Sequence, residues 1–380
     1  MSNKKILITG GAGFIGSNLS LFLIEKGYAI TVLDNLSEQI HGFNPEENSP
    51  LYNSIKDKVN FIRGTVTSRS DWETAIGDNE IIVHLAAETG TGQSMYQISH
   101  YTDVNIGGTA LMLDILANKK TAVKRIVVAS SRAIYGEGKY YSQQLGNVYP
   151  EHRTASEMDK GNFEVTYPGA ISPLQLLPTD EESKIHPSSV YGITKYNQEQ
   201  MVMTVCPAIG IEPVAFRYQN VYGPGQSLRN PYTGILSIFS TLIKTEKAIN
   251  IFEDGKESRD FVFISDVVKA TWLGIENPEA AGQVFNVGTG VPTTVSEVAA
   301  LLIRLYNAET PVKVSGNYRL GDIRHNYADL TKIKQLLGFA PAVTFADGLS
   351  RFADWVNTQS VTSSRYDESI KEMKEKGLMK

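Results

Sequence analysis

The chain has 380 residues, a formal net charge of −5 and one cysteine, Cys206. That length holds one large α/β domain with a smaller partner, or two modest domains. The acidic balance gives no electrostatic footprint for nucleic acid, a single cysteine excludes an internal disulfide and any cysteine-cluster metal site, and no apolar run is long enough to span a bilayer.

Met1 to Lys5 followed by Ile6-Leu7-Ile8-Thr9 has the charged-then-apolar order of a secretion signal. Glycines follow at once and a small-residue cleavage site does not, so the stretch reads as a first strand, and a cytoplasmic enzyme is expected. Gly10-Gly11-Ala12-Gly13-Phe14-Ile15-Gly16 comes next, and Ser17 opens a helix to about Lys26. Such glycines let the backbone turn tightly and approach a pyrophosphate, which a helix N-terminus stabilises. Ala29 to Leu33 is a second strand ending in Asp34-Asn35. An acid there accepts hydrogen bonds from ribose hydroxyls and repels a 2′-phosphate, which favours NAD over NADP. Ser37 to Pro50 reads as a polar loop, and Val59 to Arg63 as a third strand running into Gly64-Thr65-Val66.

Glu80 to Ala87 is a fourth strand entering a small-residue turn. His84 lies on that strand and not past its end, so it is read as a structural residue in preference to a base. Glu88 to Ser94 is a polar loop at the carboxyl end of the strand, where open α/β sheets bind ligands, and is expected to line the substrate pocket. Arg125 to Ala129 is a fifth strand delivering Ser130-Ser131. From Glu137 to Pro187 runs a segment rich in Tyr, Gln, Gly and Pro; a loop of such length reads as a lid, a mobile segment or a subunit contact. With only His152 and His186 as candidate ligands, it holds no metal knuckle. Tyr191-Gly192-Ile193-Thr194-Lys195 then places a phenol and an ammonium on one helical face. The ammonium favours the phenolate, so such a tyrosine can take a proton from a sugar hydroxyl and return it.

Pro213 to Arg217 is a sixth strand, ending in Tyr218-Gln219-Asn220. Leu228 to Gly234 and a helix from Ile235 to Lys244 belong to a substrate side, with Asn250 to Gly255 hairpin-like and Phe285 to Gly288 a strand of that smaller region. Asp260 and Asp266 are read as capping groups. The tail from Gln359 to Lys380 reads as a charged, mildly amphipathic surface helix, either docked or mobile.

The glycine loop, Ser130-Ser131 and Tyr191 to Lys195 together resemble the extended short-chain dehydrogenase/reductase family, in its nucleotide-sugar epimerase branch, over nearly the whole chain. The G-x-x-G-x-x-G spacing is the family's. Tyr135-Gly136-Glu137-Gly138 and the run from Gly223 to Gly234 are similar to dTDP-L-rhamnose 4-epimerases, while UDP-hexoses fit the same motifs. The resemblance implies a Rossmann-type doubly wound parallel α/β sheet with a smaller C-terminal α/β substrate-binding domain. The NAD-binding part would span 1–217, with an insertion over 137–187, and a partly interleaved substrate region would span 218–380. It implies NAD held by Gly10, Gly13, Phe14, Ile15, Gly16, Asp34, Asn35, Thr65, Val66, Leu85, Ala86, Ala87, Tyr191, Lys195 and Tyr218. Asn105 is either a cofactor neighbour or a packing residue. Relatives carry aspartate where Thr65 stands, so the adenine contact there is either replaced by a hydroxyl or lost.

Ser131, Tyr191 and Lys195 are the implied catalytic set. Thr89, Arg132, Asn220, Arg259 and Arg324 are the implied substrate residues, the last two as phosphate clamps or else as ordinary salt bridges. Related dehydratases carry Asp-Glu where this chain has Arg132-Ala133, which argues against dehydration. The expected activity is a nucleotide-sugar 4-epimerase working through a 4-keto sugar, in a homodimer. The alternatives are a 4-keto-sugar reductase using NAD(P)H and a non-catalytic NAD-binding regulator.

Overall fold

A computed structural model describes residues 4–228, 230, 232, 234–360 and 366–380. Met1 to Asn3 of the expected first strand, Arg229, Pro231 and Thr233 of the expected substrate-side run and 361–365 of the tail lie outside the described residues.

Seven strands, Lys5–Thr9 (β1), Ala29–Asp34 (β2), Asn60–Arg63 (β3), Ile81–His84 (β4), Arg125–Ser131 (β5), Glu212–Tyr218 (β6) and Gln283–Val287 (β7), form one sheet. Their spatial order is β7-β6-β5-β4-β1-β2-β3, and all pairings are parallel. A sheet covered on both faces needs apolar residues at consecutive positions. β1 shows it: Ile6 and Ile8 join one core cluster, while Leu7 between them joins the other. The order reverses between β1 and β4, so their carboxyl ends flank the crevice where such sheets bind ligands.

Five expectations change. The strand at Phe285 to Val287 belongs to the large sheet, paired with β6 through Val284↔Ala215 and Phe285↔Phe216, and not to the smaller region. The crossover helix Ile264–Glu276 carries it there. Ile249–Ile251 is not part of a hairpin; it pairs in parallel with distant Val312–Val314. Ser37 to Pro50 contains helical turns at Glu38–His41 and Pro45–Asn48. The tail helix, Tyr366–Glu375, is docked and not free: Tyr366, Ser369 and Met373 are buried, and Lys380 pairs through its backbone with Tyr318. Asp260 and Asp266, expected as caps, anchor loops; Asp260 accepts from Thr289, Gly290 and Ala328, and Asp266 from Ala342 and Val343.

The segment from Glu137 to Pro187 is folded. Tyr140–Ser142 pairs antiparallel with Gly146–Val148 and Gln175–Leu176 over a small core of Tyr140, Val148 and Val165. It is also bolted down by charge. Arg153 donates to Glu137 Oε1 at 3.1 Å, to both oxygens of Glu253 at 2.8 Å and to the Asp322 carbonyl at 2.9 Å. Glu164 accepts from Arg324 Nε at 3.0 Å. Of the three readings of this segment the mobile one falls away, because it is pinned to the 253–257 and 322–324 segments.

Breaking a buried ion pair strands the partner charge, at about 3–5 kcal/mol. Arg153→Ala should lower stability by that order in denaturant titrations. Glu257 gives a pH test. Burial pushes its carboxyl from 4.5 up to about 7. A folded pKa above the unfolded one gives stability that is present below pH 4.5 and lost as pH rises through 7. The unfolding midpoint should thus fall across that window, and Glu257→Gln should flatten the fall.

Candidate active site

The glycine loop turns from β1 into the helix Phe14–Glu25 (α1). Gly10 sits at φ 67°, and a Cβ there would come within 2.9 Å of Ala86 N. At Gly16 a Cβ would meet Gly10 O at 2.3 Å. Only glycine lets loop, helix and the end of β4 crowd together so closely. Among the described residues α1 has no capping side chain and no acid in its first turn, which leaves the first-turn N–H groups for an anion. Asp34 fastens the loop from the side, accepting from Ala12 N at 3.0 Å and Leu36 N at 2.8 Å. Buried His41 stands 3.8 Å from the same carboxylate, and burial holds its pKa below the ordinary value against the pull of that charge.

Beside this loop opens a cleft of about 320 Å³. Gly10, Gly13, Phe14, Ile15, Gly16, Asp34, Asn35, Thr65, Val66, Leu85, Ala86, Ala87, Thr89, Ser131, Tyr191, Lys195 and Tyr218 all line it. The donor set, a free helix N-terminus at one point and a carboxylate at the end of β2, fits a dinucleotide.

The helix Val190–Ala208 (α2) lies against β5. Ser189 caps it by accepting from Gly192 N at 3.1 Å. Gly192 also matters for what it lacks, since a Cβ there would stand 2.5 Å from Ala133 O. Glycine between the tyrosine and the lysine therefore lets α2 settle onto the turn after β5, and Tyr191 comes to line the same cleft as Ser131, near enough for that hydroxyl to lower its pKa. Farther along, Arg217 of β6 forks onto Glu199 of α2 at 3.0 and 2.6 Å, fixing the rotation of the helix.

Burial raises the Tyr191 pKa, and the Ser131 hydrogen bond and the Arg132 charge pull it back. Lys195 is absent from those causes. Its Nζ donates instead to Gln198 Oε1 at 2.7 Å, and burial brings it down to about 7 against the charge of Glu199. Gln198 continues inward to Thr109 Oγ1 at 2.8 Å and to His84 Nε2 at 3.3 Å. His84 also meets Thr9 Oγ1 at 2.7 Å, and burial holds it down at about 3, so it is a neutral structural residue.

The remaining expected residues divide. Asn105 is wholly buried, with its amide spent on Glu88 N, Glu88 O and Thr194 Oγ1 at 2.7, 3.1 and 2.9 Å. It ties the loop after β4 to α2 and does not line the cleft. Arg132 Nε donates to Asn220 Oδ1 at 2.8 Å. Burial, with Arg259 nearby, pulls Arg132 down to about 9 while Asp322 and Tyr191 oppose. These two arginines thus form a positive pair beyond Ser131, although Arg259 also donates to the carbonyls of Ser258, Ile323 and Arg324. Arg324 does not join them. It has no exposed surface and is spent on Glu164, Glu253 and Asp254, so the second phosphate clamp falls away. The sequence reading missed Ser94, whose Oγ accepts from Tyr191 N at 3.0 Å, and Gln219, which lines the cleft. A serine in a loop carries no signal of a partner 97 positions away.

The profile of the NAD dependent epimerase/dehydratase family matches residues 6–157 and 166–288. The chain belongs to this family. It is 36% identical over 359 residues to the dTDP-L-rhamnose 4-epimerase of Burkholderia thailandensis, across 94% of this chain and 96% of that one. The UDP-glucose 4-epimerase of Thermotoga maritima, solved with UDP-glucose, superposes with a TM-score of 0.73 at 29% identity, covering 93% of this chain and 98% of that one. A UDP-N-acetylglucosamine 4-epimerase from Methanobrevibacter ruminantium, solved with UDP-N-acetylmuramic acid, gives 0.76 at 26% identity, covering 95% and 100%. The expected fold, the NAD cofactor and the nucleotide-sugar epimerase class agree with this membership.

Gly16→Ala tests the loop. The added Cβ has no room, at a cost of about 1–3 kcal/mol. Purified variant should carry far less NAD, read from the nucleotide released on denaturation, and melt earlier. Full NAD content with unchanged melting would contradict the close approach.

Proposed function

We propose that this protein is an NAD-dependent nucleotide-sugar 4-epimerase acting on a dTDP- or UDP-hexose through a transient 4-keto sugar. The observation that carries this reading is the meeting of Tyr191 with Ser131 in the cleft lined by the glycine loop and Asp34. Bound NAD supplies the hydride acceptor and donor for C4. Tyr191 removes the proton from the C4 hydroxyl and later returns it, and Ser131 hydrogen-bonds the same oxygen as it becomes a ketone. The Arg132 charge favours the phenolate, and Lys195, one helical turn along α2, holds the nicotinamide ribose. Because oxidation and reduction alternate on one sugar, there is no net redox.

Arg259, paired with Arg132, suits the nucleotide diphosphate, with Asn220 and Thr89 lining the approach. On this reading the chain divides at 217 into an NAD-binding part and a substrate-binding part. The enzyme works in the cytoplasm as a homodimer; Ile193, 46% exposed on α2, suits an apolar pairing face. The likeness to a dTDP-L-rhamnose 4-epimerase makes dTDP-L-rhamnose the first sugar to try.

Incubating the purified protein with dTDP- and UDP-sugars, without added cofactor, should yield a C4 epimer by NMR with no net NADH. Conversion only after NAD(P)H is supplied, with stoichiometric loss of its absorbance, would replace the epimerase with a reductase. Tyr191→Phe should retain NAD and lose about 10²–10⁴-fold in turnover. Unchanged turnover would sink the mechanism.

A further inference from the structure

The docked tail helix, Tyr366–Glu375 (α3), reaches the cleft loops through one side chain. Glu372 Oε2 accepts from Tyr96 at 3.0 Å and from Tyr232 at 2.8 Å, and the two phenol oxygens stand 2.7 Å apart. The three oxygens come from three remote places: the stretch after β4, the connection before the helix Ile235–Lys244, and α3. With the carboxylate ionised there are two protons for three contacts, so the negative charge organises the ring and each phenol is held by a charged or polarised acceptor. Burial raises both phenol pKa values, so neither competes as an ion.

What the ring holds leads straight to the cleft. Tyr232 packs on Gly90, where a Cβ would lie 3.4 Å from the Tyr232 Cβ. Gly90 follows Thr89, which lines the cleft and whose carbonyl accepts from buried Tyr101 at 2.7 Å. Four residues on, Ser94 receives Tyr191 N at 3.0 Å. Met373, next to Glu372, presses on the same stretch, with Sδ at 3.2 Å from a Cβ placed on Gly92.

We infer that Glu372 is a positioning residue for the sugar: by clamping Tyr96 and Tyr232 it fixes the 90–94 stretch and through it Thr89, the cleft residue against which the hexose is held, a role that rests on the nucleotide-sugar reading. The tail helix then serves sugar affinity, and NAD retention is left to the glycine loop and Asp34.

The test titrates the nucleotide sugar into the NAD-loaded protein by calorimetry, with KM and kcat measured beside it. A hydrogen bond to a charged group contributes enough that Glu372→Ala should weaken sugar binding roughly tenfold or more. The rise should appear in Kd and KM with NAD content unchanged, and any fall in kcat should follow from the loosened Ser94–Tyr191 contact. Glu372→Gln, which keeps an acceptor and adds a donor, should restore most of the affinity. Tyr232→Phe removes one hydroxyl and leaves α3 intact, so it covers the case in which Glu372→Ala does not fold; it should weaken binding too, and combining it with Glu372→Gln should add little. Unchanged Kd in Tyr232→Phe, or a loss of NAD in parallel with the sugar, would overturn the clamp. Conversion is judged separately: binding without conversion by the unaltered protein counts against the epimerase reading alone, and absence of binding overturns both.

Discussion

The site depends on one close approach. The first turn of α2 sits on the turn that follows β5, and it can do so because residue 192 has no side chain to strike the Ala133 carbonyl. That contact brings a hydroxyl at the end of a buried strand within hydrogen-bonding reach of a phenol at the start of a helix. Everything else around α2 protects the geometry. Ser189 caps the helix, Ser94 holds the Tyr191 N–H, and the Arg217–Glu199 fork stops the helix from turning. A proton shuttle works only at hydrogen-bond distance, so rigidity here is a chemical requirement.

Around that contact the charges are arranged unevenly. Neutral Tyr191 is favoured by burial, and the Arg132 charge opposes that preference. Arg132 is felt directly. Lys195 is turned toward Gln198, at the head of a buried polar chain running through Thr109 and His84 to Thr9. Such a chain satisfies a lysine that would otherwise be stranded in the interior. It also connects the catalytic helix to the strand that begins the glycine loop, so the two halves of the cleft share one network.

The sequence made legible what is local. The glycine loop, the acid that ends β2, the serine that ends β5 and the tyrosine–lysine pair are short strings whose chemistry is fixed by neighbours in the chain, and the structure brings those residues to one cleft. Features that depend on remote partners were misread. Arg324 in its own stretch looks like a free cation; only the acids at 164, 253 and 254 make it a structural one. Asn105 stands open between cofactor neighbour and packing residue in the sequence, and only the remote Thr194 and the Glu88 backbone draw it to packing. Phe285 to Val287 lies within the smaller region in sequence, and nothing in so short a stretch says which sheet edge it joins. The tail has the composition of a surface helix because only one narrow face of it is buried.

The pinned insertion has a consequence for how the chain reaches its native state. Arg153 finds Glu253 across 100 residues, and Arg324 finds Glu164 across 160. Contacts of such separation are slow to form, because chain closure must be achieved before the contact repays it. During synthesis the segment from Glu137 to Pro187 therefore emerges with its countercharges still unmade, attached to a sheet that itself lacks β7 as an edge. Rossmann strands β1 to β5 can pair early, while the insertion waits, solvated and cleavable, for the last third of the polypeptide. Pulsed proteolysis during refolding would find it the late-protected region, and its protection would report the moment at which the middle of the chain has met its last third.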